Sequence, residues 1–212
     1  MRKKAPEKKN AFILIVSFII LNAGIFLGGI FFYKIRYHTQ FPSDLGYLVF
    51  SSCLPVFLSV IFFKLFTDIK LKIKFDTNTI AFSISSVILS FFLSTLYVLF
   101  FSYLFVEGGW GGEGWFFRFL FVSIITPALE EIFYRGYVFG VFRESLSLNA
   151  SSVLVSMLFV FVHGFWDGFG VYLLFHFIFS FIACNLYEND GLVSPFVLHF
   201  SFNSFNFFRG FS

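Results

Sequence analysis

The sequence predicts an all-α, polytopic membrane helix bundle of about seven spans, with room for a re-entrant segment or an eighth helix. Three observations predict it. Of 212 residues, 58% are hydrophobic and 40 are Phe, while 13% are charged, against roughly 25% charged residues in a soluble domain. So much apolar surface has no place in a water-soluble fold of this size, which leaves lipid as the main solvent and excludes an ordinary soluble enzyme. The apolar residues also come in long runs without period-two alternation, which excludes a lipid-embedded barrel with its polar lumen face. Finally, the charges are divided along the chain: residues 1–76 hold 11 Lys/Arg against 4 Asp/Glu, whereas residues 77–212 hold 4 against 8. The basic clusters flank apolar runs, where positive-inside bias and anionic head groups account for them, so the lipid bilayer is an expected partner and nucleic acid is not. Cys53 and Cys184 each sit in an apolar run, giving neither a disulfide framework nor a CxxC pair.

Residues 1–10 read as a basic cytoplasmic tail and 11–212 as a single transmembrane helical domain. The first apolar run, 11–33, exceeds a secretory h-region and is followed by further hydrophobic runs, so it is read as a retained anchor. The next candidate spans are 46–63, 79–106, 116–142, 150–166, 169–187 and 192–208. The third is long enough to split or tilt, and the fifth, short and carrying His163 near its end, suits a broken or re-entrant segment. Nine of the 15 Lys/Arg lie at Arg2, Lys3, Lys4, Lys8, Lys9, Lys64, Lys70, Lys72 and Lys74, which puts the N-terminus and the 64–74 loop in the cytoplasm. The segment VEGGWGGEGW carries Glu107 and Glu113 with no Lys or Arg before Arg118. It suits the outer face, with Trp110 and Trp115 at the interface and Arg143 back in the cytoplasm. The reading is a multi-pass cell-membrane protein.

Polar groups inside such spans are costly and mark function. In TPALEEIFYRG, Glu131 and Arg135 share one helical face and can pair, while Glu130 points about 100° away. Pro127 cannot donate to the Ser123 carbonyl, and the expected result is a kink that opens space beside the carboxylates. His163 ends the fifth run, His176 lies in the sixth, and His199 and Asn203 stand one turn apart in the seventh. A glutamate and an imidazole converging on one water supply a general base and its orienting group, and His and Asn N–H groups meet a developing oxyanion. Structural pairing of Glu131 with Arg135 is the bland alternative, and it leaves Glu130 unexplained. His and carboxylate groups also suit zinc, yet HExxH is missing and no spacing specifies an ion, so neither a metal nor another cofactor is expected. His176 is read as a helix-packing residue ahead of a site residue, and Trp166 and Asp167 match no motif.

These residues carry a resemblance. EEIFYR fits an EExxxR signature, FVFVH fits FxxxH and HFSFN fits HxxxN, in the order found in the CPBP (Abi) family, which contains type II CAAX prenyl proteases and bacteriocin-processing or immunity proteins. The motif-bearing core spans about 116–208. The resemblance implies an intramembrane protease in which Glu130 activates water with the help of His163. It further implies that Glu131 and Arg135 support them, and that His199 and Asn203 bind substrate or stabilise the oxyanion. The expected substrate is a small hydrophobic or membrane-associated peptide or protein. The rivals are a non-enzymatic bacteriocin-immunity or peptide-binding membrane protein and, more distantly, a small transporter.

Overall fold

In the computed structural model, described over residues 8–38, 53–101, 114–167 and 172–209, all extended regular structure is helical. Seven helices follow one another among those residues: α1 Lys8–His38, α2 Leu54–Phe66, α3 Thr77–Phe101, α4 over 115–143, α5 Leu148–Asp167, α6 Tyr172–Asp190 and α7 Val193–Arg209. Their order is that of the seven apolar runs. The fifth run is not broken as expected, because α5 continues for 20 residues; the third, over its described residues, is one unsplit helix of 25 residues, α3. Arg2, Lys3, Lys4, Glu107, Trp110 and Glu113 lie outside the described residues, as does the start of the second run. By length and composition, one helix among the described residues suffices to cross a membrane, at Thr77–Tyr97, while Phe12–Leu27, Leu54–Phe66 and Leu148–His163 are shorter apolar stretches. The carboxylates and Arg135 of α4, and the histidine and asparagines of α7, interrupt the apolar pattern of those helices.

Helix ends follow local chemistry. Pro55 stands in the first turn of α2, where its missing N–H costs nothing. Asp76 caps α3: its carboxylate accepts from the Thr79 N–H at 2.8 Å and the Thr79 hydroxyl at 3.0 Å, while its carbonyl takes the first helical bond from Ile80. These bonds favour the ionised form and hold the Asp76 carboxyl below the usual carboxylate range. Helix α6 ends at Gly191, whose φ of 76° is left-handed and whose N–H donates to the Tyr187 carbonyl at 2.8 Å.

Three pairings make the bundle: α1 on α2, α5 along α6, and α7 along α3. Helix α4 runs between them and touches all three pairs. Residues 133–139 of α4 are all buried, as befits a central helix with no solvent face. Outward, α1 exposes Phe12, Ile15 and Ile19, α2 exposes Leu58, Ile61 and Leu65, and α3 exposes Ile84, Ile88 and Phe92. An extended strap, 67–75, ties this first half to the second. The Leu192 N–H donates to the Lys72 carbonyl at 2.8 Å, the Lys72 N–H to the Tyr187 hydroxyl at 3.2 Å, and Lys74 Nζ to the Asn189 carbonyl at 2.9 Å, while Lys72 Nζ reaches the Glu188 carbonyl. Leu71 lies so close over Gly136 that a Cβ there would collide with it. Arg143 joins the same end through an ion pair with Glu188 at 2.6 Å, so the strap lysines and Arg143 gather at one end of the bundle.

Candidate active site

Helix α4 positions the glutamates by changing register. Its α-helical turns at Trp115–Phe119, Thr126–Glu131 and Phe139–Arg143 are separated by π-helical stretches at Leu120–Ile125 and Ile132–Val138. The junction residues Phe119, Ile125, Glu131 and Val138 all keep right-handed helical dihedrals, so the rod is continuous. In the first π stretch the Thr126 N–H donates to the Phe121 carbonyl, five residues back. The next donor in that register would be Pro127, which has none. The carbonyl left over is therefore that of Val122, one residue earlier than an α-helical count from Pro127 gives. Asn203 of α7 fills the gap, donating from Nδ2 to the Val122 carbonyl at 2.9 Å. The expected disturbance at Pro127 is thus taken up as a π turn and a cross-helix bond, a form of helix irregularity that recurs at functional sites.

Glu130 and Glu131 diverge on the α-helical turn between the two π stretches, and a single imidazole meets both. His199 Nδ1 donates to Glu131 Oε1 at 2.8 Å, and its Nε2 stands 3.7 Å from Glu130 Oε2. Glu131 is completely buried and also meets Arg135 Nη1 at 3.0 Å. That approach is an ion contact without the alignment of a hydrogen bond. The Arg135 guanidinium, equally buried, lies 5.0 Å from the centre of the Phe159 ring, a cation–π arrangement that offsets part of its desolvation.

His163 is oriented from its own helix. Its Nδ1 faces the Phe159 carbonyl at 2.9 Å. A carbonyl only accepts, so Nδ1 carries the hydrogen and Nε2 of the neutral ring keeps its lone pair. The side chains converge on a cavity of about 190 Å³. Thr126, Glu130, His163, His176, His199 and Asn203 give it polar walls; Val122, Phe159, Phe175, Phe179 and Phe202 give it an apolar one.

Of the six site residues predicted from sequence, Glu130, His163, His199 and Asn203 line this cavity, whereas Glu131 and Arg135 do not and stand behind Glu130 and His199. His176, expected to pack, lines the cavity instead, with its ring centre 5.0 Å from that of His163. Thr126 was not foreseen; it lines the cavity and its hydroxyl lies 2.9 Å from Cys53 Sγ of the segment entering α2. A hydroxyl immediately before the one proline of an apolar run was the available signal. The side chains of Trp166 and Asp167 lie outside the described residues. Among the described residues, no group of three or more His, Cys, Asp or Glu is arranged to hold a metal ion.

An all-helical chain with an apolar outer surface, a carboxylate pair in the central helix and histidines from three other helices beside it defines a class: helical proteins with a polar site built inside the bundle. Within that class, residues 112–205 match the Rce1-like family, described as type II CAAX prenyl endopeptidase Rce1-like. Over that segment the chain is similar to this family, whose members are membrane proteins and in general proteases. Among curated proteins and solved structures, none matches the chain.

Proposed function

We propose that the chain is a multi-pass cell-membrane endopeptidase that hydrolyses a peptide bond in a small hydrophobic or membrane-associated peptide or protein. One observation carries the reading: Glu130, His163, His199 and Asn203, drawn from three helices, open on a single cavity, in a segment that matches a family of endopeptidases. The apolar residues exposed around α1, α2 and α3 support a bundle whose seven helices lie in the bilayer. The lysine-rich strap and the N-terminus then face the cytoplasm.

In this mechanism a water sits between Glu130 and His163. Glu130 takes one proton as the oxygen attacks the scissile carbonyl, and the Nε2 lone pair of His163 accepts a hydrogen bond from the second hydrogen, which stays on the oxygen, and so fixes the attacking direction. Asn203 spends one amide hydrogen on the Val122 carbonyl and has a second for the carbonyl oxygen as it gains charge. His199, held at Nδ1 by Glu131, turns Nε2 toward Glu130 and, when doubly protonated, adds a second donor. Glu131 and Arg135 act through His199 as positioning residues. The apolar wall of Phe175, Phe179 and Phe202 suits a substrate with bulky apolar side chains.

Glu130→Gln keeps the volume and removes the base. Terminal-peptide profiling of membranes from cells carrying the wild-type or the Glu130→Gln chain at equal abundance is expected to show new termini with the wild type alone. The purified variant is expected to lose hydrolysis of the peptide so identified by about 10²-fold or more. Identical termini in the two membranes, or hydrolysis near the wild-type rate, would overturn the assignment in favour of a non-enzymatic peptide-binding or immunity role.

A further inference from the structure

Peptide hydrolysis needs two proton transfers, and the arrangement above accounts for one. Water gives a proton to Glu130 on attack, but an amine leaves only when its nitrogen is protonated as the C–N bond breaks. The groups that face the cavity divide unevenly between these tasks. The hydrogen on His163 Nδ1 is held by the Phe159 carbonyl, so the neutral ring presents an acceptor to the cavity. His199 is held between Glu131 and Glu130, and the Asn203 amide and Thr126 hydroxyl are too weakly acidic to deliver a proton. His176 is the titratable side chain on the cavity wall without a part in attack. It comes from α6, a helix that supplies none of the motif residues. Its ring lies 5.0 Å from that of His163, inclined by 33°, with Tyr97 of α3 edge-on behind it at 6.0 Å. Phe159 lies beside both imidazoles, its ring centre 4.2 Å from that of His163 and 6.4 Å from that of His176.

We infer that His176 is a catalytic residue of the proposed hydrolysis, the acid that protonates the leaving amine. The inference rests on the endopeptidase reading of the same cavity. In the first step the water oxygen bonds to the carbonyl carbon, the carbonyl π pair moves to oxygen and one water proton passes to Glu130. In the second step the oxyanion pair re-forms the C=O bond, the C–N bond breaks toward nitrogen, and the His176 imidazolium gives that nitrogen its proton. The products are a carboxylic acid and an amine. Glu130 ends protonated and His176 neutral, and transfer of one proton from Glu130 to His176 through water restores both. No oxidant, reductant or further reactant enters.

The test compares leaving groups. An apolar peptide cut by the wild-type protein is matched with a p-nitrophenyl ester of the same acyl portion, whose nitrophenolate departs without a proton. His176→Gln and His176→Phe, one polar and one ring-preserving, are measured on both substrates in detergent, with Glu130→Gln as the background. The ratio of amide to ester rates is taken on each preparation, so any loss of folded protein cancels. Each variant is expected to lose about 10²-fold on the amide and to stay within about threefold on the ester. Equal losses on both substrates, or no loss on the amide, would overturn the role and leave Glu130 to return the proton itself. A folded wild-type protein that cuts neither substrate would instead defeat the endopeptidase reading, and this inference with it. Wild-type activity beside unchanged ratios defeats the inference alone.

Discussion

The two halves of the bundle bury polar groups in opposite ways. In α1 to α3 the buried polar side chains are hydroxyls that fold back on their own helix: Ser17 donates to the Ile13 carbonyl at 2.8 Å, Ser59 to Pro55 at 2.9 Å and Ser86 to Phe82 at 2.8 Å. Their needs are met within one turn, whatever lies alongside. In α4 to α7 the buried polar groups include charged ones and reach across helices: Glu131 of α4 to His199 of α7, Asn203 of α7 back to the Val122 carbonyl of α4. Ser94, which meets Asn206 at 2.7 Å, marks the seam where the first manner gives way to the second. A locally satisfied hydroxyl makes a small residue that lets helices approach. A group satisfied only by a neighbouring helix stakes the tertiary structure on its partner, and the difference separates scaffold from site.

The contrast breaks or holds most visibly at Arg135. With both side chains completely buried and 3.0 Å apart, Arg135→Met strands Glu131 and is expected to cost about 3 to 5 kcal/mol. The pair Glu131→Gln/Arg135→Met is expected to recover part of that loss, since no uncompensated charge is then buried, without restoring turnover. Melting temperatures of the two single variants and the double variant in detergent close the cycle. Additive losses would mean that the two charges do not interact, and that Arg135 does not hold Glu131 in place.

How much of this was legible beforehand follows the same division. The helices were readable because apolar runs are a property of consecutive residues, and all seven appear where the runs are. Membrane crossing was less readable helix by helix, since the residues that build the site, such as Glu130, Glu131 and Arg135, break the apolar pattern of α4. Within the site, the pairing of Glu131 with Arg135 came from a spacing on one helix, and the cavity residues came from motifs. The bond that joins His199 to Glu131 spans 68 residues, and no local pattern encodes it. The π register of α4 was hidden because a proline announces a missing donor but not which carbonyl goes unpaired. His176 was underweighted for a similar reason: on the sequence it is one histidine among apolar residues, and only the packing of α6 against α5 brings it to His163.

A smaller effect is expected at Asn203. Asn203→Leu removes the donor to the Val122 carbonyl, the group that Pro127 leaves open in the π turn, and should cost about 1 to 3 kcal/mol, the range for an unpaired buried polar group. The loss should be accompanied by faster amide exchange along 120–126 of α4, where that bond holds the π register. A cost below about 0.5 kcal/mol with unchanged exchange would mean that the carbonyl finds another partner, and that Asn203 serves the cavity alone.

The smallest effect sharpens the comparison from the other half. Ser59 is as fully buried as Glu131, so burial alone gives no reason to expect its replacement to be milder. The partners give that reason. The Ser59 hydroxyl donates to the Pro55 carbonyl, within its own helix, and lies a long 3.3 Å from the Ser17 carbonyl of α1. In Ser59→Ala the Pro55 carbonyl keeps the backbone N–H that α-helical register supplies, the Ser17 carbonyl keeps its own, and no group is left unpaired. The missing oxygen leaves a gap of about one atom where α1 and α2 meet, and alanine is the better helix former. The expected change is therefore no more than about 1 kcal/mol in either direction, read from the same detergent melts, with hydrolysis unaltered. A loss as large as that of Arg135→Met would show that Ser59 holds α1 to α2 through its hydroxyl, and the first half would then depend on cross-helix polar contacts as the second does.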